Sequence, residues 1–170
     1  DTRSAAENLR FWGGIYGLTG ASLGKAVDRA LDVVGLTARS KEPVKRLSGG
    51  MKRRLNLALG LVHSPKAVLM DEPTVGIDPQ ARLRILDAVR AVAASGTTVL
   101  YTTHYLEEAE TLCHRIGIMD HGKLLAEGTL EELKRKAGGR EVVSAVGTFS
   151  AEEAKERLVS APEAQVVTLE

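Results

Sequence analysis

The apolar run Ala67-Val68-Leu69-Met70 leads directly into Asp71-Glu72-Pro73. A run of that length suits a buried strand, and the carboxyl end of such a strand is where open α/β sheets hold their ligands. Two adjacent carboxylates there can divide the work of phosphoryl transfer. Asp71 would support a Mg²⁺ shell, and Glu72 would orient or deprotonate the attacking water. Upstream, Leu47-Ser48-Gly49-Gly50-Met51 is a Ser-Gly-Gly turn opening a helical run. Bare amides, a hydroxyl and a dipole at such a helix end favour phosphate. Each half alone has an ordinary reading, as a linker turn or a solvated strand end. Their succession within one stretch points to nucleotide chemistry.

Downstream, Asp78-Pro79 starts a helix well, with Asp as N-cap and Pro as first residue. Leu83, Ile85, Leu86, Val89 and Val92 supply its apolar side, and Gly96 closes it. Thr97 to Thr102 is β-branched and apolar, and reads as a second buried strand. His104 stands just past its end. Glu107, Glu108 and Glu110 make an acidic first turn of the next helix, favourable to its dipole. A hairpin turning at Asp120-His121-Gly122-Lys123 follows, then a capping box at Thr129-Leu130-Glu131-Glu132. Beyond Gly138-Gly139 come a strand around 141–146, a helix announced by Ser150-Ala151-Glu152-Glu153 and a strand near 165–169.

Ahead of the Ser-Gly-Gly turn lie two amphipathic helices. The first covers 4–16 behind a Ser4–Glu7 capping box; the second runs roughly from Ser22 to Val34 and stops at Gly35. After the turn, Lys52, Arg53 and Arg54 read as a solvated face, or else as a positive collar for phosphate. His63 reads as a helix-end residue. A phosphate loop needs Gly, four residues and then Gly-Lys-Ser/Thr. Gly24-Lys25 fails that test, because Thr19 holds the first glycine position and Ala26 the hydroxyl position. No other stretch of the sequence fits.

With 23 basic and 22 acidic residues the net charge is +1, and aromatics are only 4%. Neither a basic field nor a stacking platform marks a nucleic-acid binder. The single cysteine, Cys113, cannot form an internal disulfide and fits a reducing compartment. No apolar run approaches the length of a membrane span, so a cytoplasmic domain is expected.

The order of Ser48-Gly49-Gly50-Met51, Asp71-Glu72-Pro73, Asp78 and His104 resembles the ATP-binding-cassette (ABC) ATPases, with their signature, Walker B, D-loop and switch-histidine motifs. The resemblance runs from about Glu7 to about Leu133. Pro73-Thr74-Val75-Gly76-Ile77-Asp78-Pro79, Met51 where glutamine is common, and Thr102-Thr103-His104-Tyr105-Leu106-Glu107-Glu108-Ala109 look like ABC-2 type drug- and antibiotic-export ATPases. Ile77 stands where leucine is usual. The short interval from Ser48 to Asp71 argues against the chromosome-maintenance and DNA-repair relatives. Val75-Gly76 replaces the Asn-His pair of the ribosome-acting ones.

The resemblance implies an α/β fold: part of a P-loop, RecA-like ABC ATPase domain with a helical subdomain. The division expected is a helical subdomain portion over 1–47, the signature helix and RecA-like core over 48–137, and a small β-α-β appendage over 138–170. Because the phosphate loop precedes all of this in the family, the chain resembles the carboxyl-terminal part of such a protein and should be inactive alone. In an intact ATPase, ATP and Mg²⁺ would sit between two head-to-tail subunits. Ser48, Gly49, Gly50 and Met51 would be offered in trans to the γ-phosphate. Asp71 would support Mg²⁺ through water, Glu72 would be the general base, His104 would steady the phosphate, and Asp78 would contact across the interface. The implied partners are a transmembrane permease subunit and a homodimeric or paired ATPase subunit, with no nucleic acid. The implied location is the cytoplasmic face of the membrane. The alternatives are a non-transport ATPase acting on nucleic acid or ribosomes, and a non-catalytic docking module.

Overall fold

The computed structural model describes residues 2–137. The chain divides into two compact units, Asp1–Leu133 and Lys134–Glu170. The strands expected around 141–146 and 165–169, the helix between them and the rest of the 138–170 appendage lie outside the described residues.

Helices α1 (Ala5–Ile15), α2 (Gly20–Val33) and α3 (Gly49–Leu61) build one apolar core. The Ser4–Glu7 capping box forms as the sequence predicts: Glu7 N–H donates to Ser4 Oγ, and Ser4 N–H donates to a Glu7 carboxylate oxygen. Helix α2 begins two residues earlier than its apolar periodicity suggests, and Gly35 ends it at φ +62°. Leu9 from α1, Leu31 from α2, Leu36 just after it and Val62 past the end of α3 are fully buried together. Each such side chain contributes roughly 1.5–3 kcal/mol of burial.

Strand β1 (Ala67–Asp71) pairs in parallel with β2 (Thr98–Thr102), with Asp71 opposite Thr102 and Met70 opposite Tyr101. The crossover between them is α4 (Pro79–Ala94), capped by Asp78 with Pro79 at its first position. Ile85 and Val89 of α4 pack on Met70, with Val68, Val99 and Tyr101 at the margin. The two strands are not buried as their apolar sequences suggest. Leu69 is 77% exposed and its register partner Leu100 is 61% exposed. The helical layer covers one face of the pair, and the alternating pleat turns Leu69 and Leu100 to the other. Leu83 on α4 is likewise exposed rather than part of the apolar side, whereas Ile85, Leu86, Val89 and Val92 are buried.

A short helix α5 (Leu106–Leu112) leads to an antiparallel hairpin, β3 (Ile116–Asp120) with β4 (Lys123–Gly128). Its two-residue turn holds His121 at φ +47° and Gly122 at φ +74°, the left-handed pair that a type I′ turn requires. Helix α6 (Leu130–Lys136) starts at the expected capping box, with Glu132 N–H on Thr129 Oγ1 and Thr129 N–H on the Glu132 carboxylate.

Candidate functional site

Parallel pairing sets the ends of β1 and β2 side by side, so the residues following each strand meet. Glu72 Oε1 lies 3.2 Å from His104 Nδ1, both side chains about half exposed. One residue earlier, Asp71 Oδ1 accepts from Thr102 Oγ1 at 2.6 Å. The Glu72 N–H reaches across to the same hydroxyl at 3.0 Å and to the Thr102 carbonyl at 3.2 Å.

Glu72 occupies the left-handed region, φ +42°, which strains a side-chain-bearing residue. Arg53, in the second turn of α3, holds it there. Its Nε donates to the Pro73 carbonyl at 3.0 Å and its terminal nitrogen to the Glu72 carbonyl at 2.9 Å. Arg53 is therefore more than a solvated charge, since two of its nitrogens are committed to backbone carbonyls. It ties the Ser-Gly-Gly helix to the turn after β1. Arg54 departs further from a solvated face. It is 7% exposed and donates to the carbonyls of Val34 and Gly35 at 2.7 and 3.2 Å. It thereby caps the end of α2. Burial, with Arg84 nearby, pulls its pKa down, and Asp78 acts against that.

The Ser48 hydroxyl caps α3, accepting from the Met51 N–H at 3.2 Å. Accepting leaves its own proton to donate. Gly49 faces open space, whereas a Cβ on Gly50 would stand 2.6 Å from Ala81 Cβ and 3.5 Å from Asp78 Oδ2. The start of α3 is thus packed against the start of α4, where Asp78 Oδ1 accepts from the Ala81 N–H at 2.9 Å. Gly49, Lys52 and Arg53 share one open cavity of about 840 Å³ with Asp71, Glu72 and Ile77. His104 reaches Glu72 but does not line that cavity, and neither do Ser48, Gly50, Met51 and Asp78. His63, at the end of α3, stacks on Tyr16 with ring centroids 3.8 Å apart.

Glu108 had no role in the sequence reading beyond the dipole of its helix. In the structure it is 1% exposed, and one carboxylate oxygen accepts from Thr74 Oγ1 (3.0 Å), the Tyr101 hydroxyl (2.9 Å) and Thr103 Oγ1 (2.7 Å). The other oxygen accepts from Arg82 Nε at 2.7 Å. Burial raises its pKa, the donors from Thr103, Thr74, Tyr101 and Arg82 lower it, and the donors prevail, leaving it below the usual glutamate range. Burial pushes the Tyr101 hydroxyl well above the usual phenol range, and acceptance by Glu108 adds to that. A weak signal for this cluster was present: Tyr101 near the end of β2 and Thr103 just past it are two hydroxyls two positions apart, each in need of a partner.

Among the described residues no cluster of three or more His, Cys, Asp or Glu could hold a metal ion by itself. A single carboxylate such as Asp71 suits Mg²⁺ that keeps its waters and arrives with a phosphate substrate. No described helix is long and apolar enough to cross a membrane.

Residues 2–75 match the family model described as ABC transporter. The chain is 49% identical over 142 residues to the linearmycin resistance ATP-binding protein LnrL of Bacillus subtilis strain 168, an alignment covering 84% of the chain and 46% of that protein. It is 42% identical to the Nod factor export ATP-binding protein I of Cupriavidus metallidurans, over 85% of the chain and 48% of that protein. The chain spans about half the length of the curated relatives it matches. A solved ATP-binding subunit of an ABC transporter superposes with a TM-score of 0.68 at 28% identity, covering 92% of the chain and 62% of that structure.

Proposed function

As a member of the ABC transporter family of ATP-binding subunits, this chain, we propose, carries the signature and hydrolytic half of an ATPase that powers export through a membrane permease. The observation that carries the reading is the meeting of Glu72 and His104 at the paired ends of β1 and β2, beside Asp71. Glu72 is the general base toward the attacking water, and His104 contacts the terminal phosphate. A neutral imidazole has one N–H. A ring that donates to Glu72 through Nδ1 therefore donates to phosphate through Nε2 only as the imidazolium. Otherwise His104 exchanges Glu72 for the nucleotide, which a half-exposed contact permits.

Asp71 would hold Mg²⁺ through water, and the ion would supply charge neutralisation on the transferring phosphate. Ser48, Gly49, Gly50 and Met51 form the helix start, which would offer the Ser48 hydroxyl proton and the Gly49 and Gly50 amides to a nucleotide held by a second subunit, and Asp78 lies beside it. The phosphate loop is not among these 170 residues, so the reaction requires one in addition to them. The protein works at the cytoplasmic face of the membrane as a dimer, docked on its permease. Export is favoured by the likeness to the Nod factor export protein, and a role in resistance by the likeness to the linearmycin resistance protein.

The test is Mg²⁺-dependent ATP turnover by the protein at its full natural length, with and without membranes containing its permease. Turnover that the permease stimulates supports the reading. A protein that binds a membrane partner but never hydrolyses ATP would leave it a docking module.

A further inference from the structure

Glu108 is four residues past His104 and far in sequence from Glu72, yet two of its four donors, Thr74 and Thr103, lie two residues past Glu72 and one before His104. Thr74 belongs to the turn that leaves Glu72-Pro73. Thr103 is the residue before His104, and its Oγ1 also accepts from the Tyr105 N–H at 3.0 Å. Arg82, held by Glu108, lays its guanidinium over the Tyr105 ring at 4.4 Å. The Tyr105 ring in turn lies 4.1 Å from the His104 ring. One buried carboxylate thus fixes the backbone on either side of the Glu72–His104 pair and, through Arg82 and Tyr105, backs the imidazole.

From this we infer that Glu108 is a positioning residue of the phosphoryl-transfer site, setting the spacing and orientation of Glu72 and His104 without touching nucleotide. The inference rests on the ATPase reading given above. A misplacement of about 1 Å at reacting groups costs rate far more than it costs binding. Glu108 should therefore govern turnover and leave nucleotide affinity alone.

The experiment compares wild type and Glu108→Gln in the protein at full natural length. Gln keeps the shape but offers one acceptor oxygen to four donors. The expected result is a fall in kcat of about tenfold or more, KM for ATP within about twofold, and displaced or broadened imidazole NMR resonances of His104. A folded Glu108→Gln protein with kcat within about twofold of wild type and unmoved His104 signals overturns the inference, even if its melting temperature falls. Should Glu108→Gln not fold, Thr74→Val and Thr74→Ser decide. Val removes the donor on the Glu72 side and should slow turnover several-fold, and Ser should restore it; equal rates in the two overturn the inference. If wild type itself hydrolyses no ATP, the ATPase reading falls, and the His104 resonances in Glu108→Gln still judge the positioning contact.

Discussion

Glu72 and His104 come within 3.2 Å of each other although 32 positions separate them, because Asp71 and Thr102 are register partners on parallel strands. The backbone of Glu72 is held from both sides at once, its N–H by Thr102 and its carbonyl by Arg53. The carboxylate is left half exposed at the end of a rigid mount, where a water molecule can reach it.

Glu72→Gln in the full-length ATPase should bind Mg-ATP normally and hydrolyse it slower by a factor on the order of 10² or more, since the amide cannot accept a proton. Single-turnover hydrolysis alongside nucleotide-binding calorimetry checks this. Near-normal turnover would remove Glu72 from the role of base.

The two glycines opening α3 should separate in a stability measurement. A methyl group at 50 would press on Ala81, whereas at 49 nothing lies within 4 Å. Gly50→Ala should lose about 1–3 kcal/mol of unfolding free energy to overpacking. Gly49→Ala should be neutral or gain up to about 1 kcal/mol, as Ala replaces Gly in a helix. Urea titration of both variants decides; equal stabilities would mean that α3 and α4 are not in contact at this point.

Arg54→Leu should destabilise by about 1–3 kcal/mol, because the carbonyls of Val34 and Gly35 lose their buried donor. Faster amide exchange in the last turn of α2 would locate the damage. A surface arginine substituted the same way changes stability by less than about 0.5 kcal/mol, and that result at Arg54 would contradict its capping role.

Glu108 also predicts a pH dependence of stability. Its pKa in the fold lies below the ordinary glutamate value of 4.5. As pH falls below 4.5, the unfolded chain takes up the proton first, so the contribution of Glu108 is complete above that value and is lost as pH drops through the folded pKa. The donated hydrogen bond from the Ser4 backbone lowers Glu7 in the same direction. Thermal melts between about pH 6 and 3 should show a falling acid limb that flattens in Glu108→Gln. An unchanged slope would mean that the fold does not lower the Glu108 pKa.

Signals confined to neighbouring residues were legible in the sequence. The Ser4–Glu7 and Thr129–Glu132 capping boxes, the Asp78-Pro79 helix start and the His121-Gly122 turn each need only a few adjacent positions. The family likeness was legible for the same reason, as short motifs in order. What needed three dimensions was missed. Arg53 and Arg54 look like any exposed basic run until the turn after β1 and the end of α2 are brought to them. Glu108 draws its donors from 5, 7, 26 and 34 positions away. The exposure of Leu69 and Leu100 escaped as well, because an apolar strand sequence does not say how many layers cover it.

The parallel pairing of β1 with β2 also has a kinetic side. No hairpin can bring Asp71 to Thr102; the chain must first thread all of α4 between them. The α1–α2–α3 core draws mainly on neighbouring helices and closes short loops, so it can form early. The carboxylate end of β1 waits for a crossover whose loop-closure entropy is spent before its contacts are made. In a refolding chain, helical signal would therefore precede the arrival of His104 beside Glu72.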